Sequence, residues 1–220
     1  MELDLEEALR YAGVPAPPPE ALRRDMEEVA ASVTAAVRPR WRWRLFALEH
    51  TPEGVRLPEL DLLLPGRTAG LLLAQCGQAA LLACTLGAVF DAKLRAVEAR
   101  DMSRAVLTDA CGSAWVEAGC AAAEEELAGR LPGAYLTDRF SPGYGDLPLS
   151  LQSAICAALD TPRALGLCVT ESLLLNPRKS VTAVIGISDR PQMARIRGCQ
   201  NCSLNQTCQL RKGGTTCGLS

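Results

Sequence analysis

Ten cysteines are distributed unevenly along the 220 residues of this sequence. Six of them precede residue 199, and the other four fall in the last 22 residues as Cys199-x2-Cys202-x5-Cys208-x8-Cys217. A Cys-x2-Cys pair places two thiolates on one side of a tight turn, and two more thiolates nearby can close a tetrahedral cage. Because this tail carries few apolar residues and cannot build its own core, we expect a bound metal to organise it.

Two kinds of metal centre fit these four thiolates. Zinc sites more often show two closely spaced cysteine pairs, whereas eight residues separate the second pair here. The spacing therefore favours an iron–sulfur cluster, with zinc and metal-free reactive thiols as alternatives. The other cysteines lie in Ala/Leu-rich surroundings, where free cysteine behaves as a small buried hydrophobe. We predict that all of these are core residues: Cys76, Cys84, Cys111, Cys120, Cys156 and Cys168.

The charge balance restricts the classes of partner. The chain has 23 Lys and Arg against 25 Asp and Glu, so it has no positive excess with which to hold nucleic acid. Its acidic N-terminus lacks the features of a signal peptide, and we expect a cytoplasmic protein with reduced thiols.

No charge occurs between Arg67 and Asp91, but glycines and glutamines interrupt this stretch. It predicts a buried helix followed by a buried strand, and no membrane span.

Hydrophobic periodicity predicts an α+β fold. Apolar residues at helical spacing from Leu22 to Ala36 indicate a helix that ends before Pro39, and the alternation of Trp and Arg over 41–45 indicates a half-buried strand. The other expected helices cover 1–16, 69–77 (capped by Thr68), 88–130 (broken near Asp101) and 149–159, and the other expected strands cover 55–57, 79–85, 167–170 and 181–187.

One loop, residues 139–148, has two glycines and two prolines. Such residues fix the shape of the backbone and allow a ligand to approach it closely.

Elsewhere, catalytic signals are weak. His50 is the only histidine, so no Ser-His-Asp or Cys-His system can form without it, and neither a Walker-type loop nor a G-x-G-x-x-G motif occurs. Hydrolase and kinase functions are therefore disfavoured, and the catalytic residues stay unassigned.

The segment Arg139-Phe140-Ser141-Pro142-Gly143-Tyr144 resembles the ligand-binding loop of the activation domain of cobalamin-dependent methionine synthase. The segment Leu167–Ser172, followed by Pro177 and Ser180-Val181, is similar to a second block of that family, and Ala83–Gly87 is similar to a third. The resemblance covers roughly residues 65–190. The chain looks most like the short stand-alone family members that end in clustered cysteines.

The resemblance implies a bent antiparallel sheet flanked by helices, with a short irregular Cys-rich tail. It divides the chain into N-terminal helices and a hairpin (1–64), an activation-domain-like core (65–190) and a metal-binding tail (191–220). The family caps cobalamin, binds S-adenosylmethionine and supports a one-electron reduction coupled to methyl transfer. The binding residues implied here are Arg139, Pro142, Gly143, Tyr144, Glu171 and Ser172.

The chemistry of the loop agrees with that role. Arg139 can hold an amino-acid carboxylate through a bidentate, charge-assisted pair, and Tyr144 offers a ring face and a hydroxyl. Pro142-Gly143 lets the backbone approach the ligand. The alternative is purely structural, with Arg139 paired to an acidic residue and Tyr144 packed in the core.

The sequence also departs from the family. The family's acidic ligand residue in the long helix falls at Ser113, with Glu117 one turn later, and the tyrosine-bearing strand near the family's C-terminus has no counterpart. No cobalamin, homocysteine or folate module is present, so we expect a reactivation component that acts in trans and is not a complete methyltransferase. Its partner would be a corrinoid protein, or a methionine synthase without its own activation domain, which holds the cobalamin. The rival hypothesis is a non-redox module, either a zinc-stapled adaptor or a binder of S-adenosylmethionine, that docks on a corrinoid protein.

Overall fold

The computed structural model describes residues 1–191, and the tail cysteines Cys199, Cys202, Cys208 and Cys217 lie outside this range. Helices and antiparallel strands both contribute, which confirms the α+β prediction. The helices are α1 (Leu5–Tyr11), α2 (Glu20–Ala36), α3 (Arg67–Leu73), α4 (Gly87–Glu98), α5 (Met102–Arg130), α6 (Leu151–Ala158) and α7 (Thr161–Leu165). The strands are β1 (Arg40–Ala47), β2 (Glu49–Thr51), β3 (Gly54–Leu57), β4 (Leu62–Pro65), β5 (Gln78–Thr85), β6 (Tyr135–Leu136), β7 (Cys168–Val169), β8 (Leu175–Asn176) and β9 (Ser180–Ser188).

The chain forms two compact units, each built from separated stretches of sequence. Within the described residues, the first unit contains residues 1–42, 83–126 and 160–181, and the second contains residues 43–82, 127–159 and 182–191. The sequence analysis places domain boundaries after residues 64 and 190 because of the family resemblance. The compact units are defined by contacts and do not test those boundaries, which stay a prediction.

Close helix packing builds the first unit. Met26, Val29 and Val33 are buried along α2, as their spacing predicts, and α2 contacts both α1 and α4. A side-chain carbon on Gly112 would lie 2.2 Å from the ring of Phe90. Glycine in α5 therefore allows α4 to approach its backbone directly.

The predicted helical tract over 88–130 is confirmed, including its break. Helix α4 ends at Glu98 and α5 begins at Met102. The Asp101 carboxylate accepts a hydrogen bond from the backbone N–H of Arg104 at 3.0 Å. This capping contact satisfies a donor that the first turn of α5 leaves unpaired, and it explains why the new helix starts there.

In the second unit, three short strands form an antiparallel sheet in the order β2-β3-β4. Helix α3 packs on β3 and β4. The loop between β2 and β3 contains Pro52, and Gly54 has a φ of +148° where a side-chain carbon would lie 2.5 Å from the carbonyl oxygen of Leu64. Glycine is therefore needed at this close approach of β3 and β4.

The larger sheet has four strands in the order β1-β5-β9-β6. Residues 79–85 of β5 and 182–188 of β9 are buried, as expected for strands covered on both faces. The uncharged stretch between Arg67 and Asp91 forms α3 and β5, as predicted. None of the helices described within residues 1–191 is long and apolar enough to cross a membrane.

The prediction that six cysteines are core residues is wrong for one of them. Cys76, Cys84, Cys111, Cys120 and Cys156 are buried, whereas Cys168 is exposed. Cys168 lies on β7, a two-residue strand that pairs with the equally short β8 in a two-stranded sheet. A hairpin of this size has no second layer to bury both of its faces.

Candidate functional site

The candidate ligand loop begins from a firm attachment to the larger sheet. Phe140 and Val184 of β9 exchange two backbone hydrogen bonds, of 3.0 and 2.8 Å. The side chains of Phe140 and Pro142 are buried. The start of the loop is therefore held by backbone pairing and by apolar packing on either side of Ser141.

The rest of the loop is a tight turn closed by its own backbone. The N–H of Gly143 donates to Leu147 O at 2.8 Å, and the N–H of Leu147 donates to Tyr144 O at 3.0 Å. Gly143 and Gly145 have φ values of +90° and +58°, which side-chain-bearing residues rarely adopt. The turn therefore requires its two glycines and has a defined shape before any ligand binds.

The loop presents Tyr144 to solvent. Its side chain is 63% exposed, so the structural alternative of a core tyrosine is wrong. Gly143 is also exposed, and Arg139 is half-buried. Six consecutive residues thus contain three kinds of group that can contact a ligand. They are an aromatic ring with a phenolic hydroxyl, an exposed stretch of backbone and a guanidinium.

Asp146 fastens the far end of the loop to helix α3. Its carboxylate accepts hydrogen bonds from the backbone N–H groups of Arg67 and Thr68. The Thr68 hydroxyl and these two amides lower the pKa of Asp146 from 3.8 to about 2. The predicted cap by Thr68 is wrong, because α3 begins at Arg67 and its first amides are satisfied by Asp146.

Glu171 and Ser172 belong to the other compact unit. They are exposed in the turn between β7 and β8, where the hydroxyls of Thr170 and Ser172 lie 2.9 Å apart. The N–H of Leu174 donates to the Thr170 hydroxyl at 3.0 Å. Thr170 therefore shapes the turn, and Glu171 and Ser172 project from it.

The first unit also contains a polar cluster that the sequence did not reveal. The Lys179 ammonium donates to the Asp109 carboxylate at 2.8 Å and to the Ser113 hydroxyl at 2.9 Å, and the Lys179 side chain is only 16% exposed. The position matched to the family's acidic residue, Ser113, is thus bound by a lysine. No local pattern identifies this lysine, because its partners lie 66 and 70 residues away in sequence.

A buried carboxylate anchors the same segment. Asp91 is 7% exposed and accepts a hydrogen bond from the Arg178 N–H at 3.1 Å through one oxygen. Within residues 1–191, its other oxygen has no hydrogen-bond partner. Ser180 adds a further link, since its hydroxyl lies 2.7 Å from that of Thr85. Residues 178–180 are therefore held by polar contacts from α4, α5 and the end of β5.

Residues 1–191 contain no group of three or more His, Cys, Asp or Glu side chains arranged to hold a metal ion. The metal prediction at Cys199, Cys202, Cys208 and Cys217 lies outside the described residues and stays a prediction.

Comparisons with known proteins identify the fold. No protein-family model matches the sequence, and no curated protein matches it. The structure is similar to the crystal structure of the MetH reactivation domain bound to AdoHcy, with a TM-score of 0.59 and 19% sequence identity. The alignment covers 94% of this chain and 77% of the other. The chain has the fold of that reactivation domain. The fold predicted from the Arg139–Tyr144 resemblance is thereby confirmed.

Proposed function

We propose that this protein reactivates a corrinoid methyltransferase in trans, binding S-adenosylmethionine at the Arg139–Tyr144 loop. The partner would be a corrinoid protein, or a methionine synthase that lacks its own activation domain. The observation that carries the proposal is the exposed, preshaped loop on a MetH reactivation-domain fold. That domain was crystallised with AdoHcy, the demethylated form of the proposed ligand.

The loop residues would divide the recognition of the ligand among them. The Arg139 guanidinium would take the amino-acid carboxylate, because its planar fork matches a carboxylate bidentately. The exposed Tyr144 would contact the base or ribose through its ring or hydroxyl. The Gly143 backbone, free of a side chain, would let the ligand lie against the turn.

Glu171 and Ser172 are proposed to contact the ligand or the cobalamin of the partner. Both are exposed on a turn that Thr170 stabilises. Their exposure leaves the carboxylate and the hydroxyl available to donors outside the chain.

The tail would supply the redox function. Four thiolates at the spacing of Cys199, Cys202, Cys208 and Cys217 suit an iron–sulfur cluster, and such a cluster provides one electron at a time. Reduction of cob(II)alamin to cob(I)alamin takes one electron, and the cob(I) form then accepts the methyl group of S-adenosylmethionine. The rival function, a zinc-stapled adaptor, would lack this step.

Ligand binding is tested by calorimetry with S-adenosylmethionine on the full chain. Replacing Arg139 with Ala should weaken binding by about tenfold or more, because one charge-assisted contact is lost. The matched control is Arg163→Ala, since the Arg163 side chain is 87% exposed on α7 and pairs with Asp160 of its own helix end. Equal affinity of the two variants would remove Arg139 from the site, and no binding by the unmodified protein would refute the proposed ligand.

The tail is tested by metal analysis of anaerobically purified protein. The proposal predicts iron and acid-labile sulfide with visible charge-transfer absorbance, lost when Cys199 and Cys202 are replaced by Ser. The control is Cys168→Ser, which removes an exposed thiol from a different part of the chain. Colourless protein with stoichiometric zinc would support the adaptor function and refute electron transfer by the tail.

A further inference from the structure

A groove of about 600 Å³ lies between the β2–β3 hairpin and helix α3 in the second unit. Its volume falls within the range of about 300–1,000 Å³ that is usual for small-molecule sites. None of its lining residues belongs to the Arg139–Tyr144 loop. The residues that matter chemically are His50, Thr51, Glu53, Gly54, Arg67 and Gly70.

Two opposite charges face this groove without being neutralised. The Glu53 carboxylate and the Arg67 guanidinium are both exposed. Within residues 1–191, neither side chain forms a hydrogen bond or an ion pair, with each other or with any neighbour. The bond from Arg67 to Asp146 uses only the backbone N–H. An acceptor site and a donor site of opposite charge therefore line one groove.

His50 contributes a third polar group in a defined tautomer. Its Nε2 lies 3.1 Å from the carbonyl oxygen of Cys76. A carbonyl oxygen only accepts hydrogen bonds, so Nε2 carries the proton. In the neutral ring, Nδ1 is then an acceptor, and no other group within residues 1–191 hydrogen-bonds to His50.

Glycine keeps the wall of the groove open on its α3 side. Among residues 1–191, no heavy atom would lie within 4 Å of a side-chain carbon on Gly70, although the residue lies in the middle of α3. A glycine inside a helix costs about 1 kcal/mol relative to alanine. Packing does not require this glycine, so the space over its backbone is available to a ligand.

We propose that this groove binds a small molecule with a free α-amino-acid group on a larger body. The Arg67 guanidinium takes the carboxylate, and the Glu53 carboxylate takes the ammonium. The His50 Nδ1 accepts a hydrogen bond from a donor on the body of the ligand. A free amino acid alone would leave most of the 600 Å³ unfilled, which is why a larger body is part of the proposal. This site is separate from the proposed S-adenosylmethionine site and does not depend on it.

The charge requirement is tested with three matched peptides, titrated into the full chain and followed by calorimetry or NMR. γ-L-Glutamylglycine carries the α-amino-acid group, glutarylglycine lacks its ammonium, and 4-aminobutyrylglycine lacks its carboxylate. We expect the first to bind and each of the others to bind about tenfold more weakly or worse, since each loses one charge-assisted contact. Equal binding of all three, or binding of none, would overturn the proposal.

The location is tested with protein variants. Gly70→Phe should block the groove and abolish binding, whereas Gly70→Ala, the matched control, should keep it and raise the melting temperature. Glu53→Gln and Arg67→Gln should each weaken binding about tenfold, and they serve as the test if Gly70→Phe does not fold. Arg163→Ala, at an exposed arginine of α7, should leave binding of the peptide unchanged. Loss of binding in Arg139→Ala with full binding in Gly70→Phe would place the peptide at the other loop and overturn the proposal.

Discussion

Asp146 links the candidate ligand loop to helix α3, and its ionisation should be measurable as a pH dependence of stability. Its pKa in the folded protein is lowered from 3.8 to about 2 by the Thr68 hydroxyl and the amides of Thr68 and Arg67. A lowered pKa means that the ionised carboxylate stabilises the folded state above pH 3.8. That contribution is lost as the pH falls from there toward 2.

Replacing Asp146 with Ala should lower the free energy of unfolding at neutral pH by about 1 kcal/mol, as for loss of a helix cap. Urea unfolding of both proteins should show this difference shrinking as the pH is lowered toward 2. Asp25→Ala, at an exposed position on α2, should change stability by less than about 0.5 kcal/mol. A difference that stays constant down to the lowest pH would show that the carboxylate does not cap α3.

The described cysteines should differ sharply in reactivity. Burial raises the pKa of the Cys76 thiol to about 11 and that of the Cys111 thiol to about 12, and the thiolate is the reactive form. Cys168 is exposed. Limited alkylation of the native protein, read by peptide mass spectrometry, should therefore label Cys168 well before Cys76 and Cys111. Labelling of Cys111 at the rate of Cys168 would contradict the packing of α5 against Met26.

At the residue scale, what the sequence predicts depends on how local the cause is. The Arg139–Tyr144 loop is recognisable because its glycine and its proline act on their own backbone. Asp146 was missed as a helix cap because the amide of Thr68 that it satisfies is 78 residues away. The exposure of Cys168 was missed because its apolar neighbours suggest a core position, whereas the short β7–β8 hairpin leaves it uncovered.

Two glycines of α5 allow neighbouring residues of the first unit to approach the backbone of this helix closely. A side-chain carbon on Gly119 would lie 2.4 Å from Pro39 and 2.9 Å from the Cys84 sulfur, and one on Gly112 would lie 2.2 Å from Phe90. Gly112→Ala and Gly119→Ala should each lower the free energy of unfolding by about 1–3 kcal/mol, the usual cost of overpacking. Chemical denaturation of each variant measures this.

The same helix provides a control for these two changes. In the described part of the chain, a side-chain carbon on Gly129 would meet nothing within 4 Å, so Gly129→Ala should raise stability by up to about 1 kcal/mol through helix propensity. If Gly112→Ala were as stable as Gly129→Ala, the contact between α4 and α5 would be looser than described.

Elements with a long periodic pattern were predicted well, and so were the short strands β3 and β7, whereas the short strands β2 and β8 were not. Helix α2 and the break between α4 and α5 follow from apolar spacing and from Asp101. Strands β2 and β8 have three residues or fewer. This is too short for the alternation of apolar and polar residues to be recognised in the sequence. Their pairing partners decide their structure, and these lie elsewhere in the chain.

At the scale of the whole molecule, the resemblance predicted the fold correctly even though sequence identity to the related structure is only 19%. The antiparallel sheets and buried central strands follow from patterning that tolerates many substitutions. The site is less predictable, because Lys179, Asp109 and Ser113 meet through tertiary folding. The central proposal is that this protein acts in trans on cobalamin that a separate partner protein holds.

The most direct test is an anaerobic mixture of the full chain, reduced beforehand with dithionite and freed of excess reductant, with S-adenosylmethionine and the corrinoid partner in its cob(II) state. The reaction is followed by electron paramagnetic resonance. The account predicts that the cob(II) signal disappears as methylcob(III)alamin and S-adenosylhomocysteine form in equal amounts, with the electron supplied through the reduced chain. Omission of S-adenosylmethionine, or use of Arg139→Ala, should leave the signal largely in place. A cob(II) signal that persists with the unmodified protein and all components present would contradict the account.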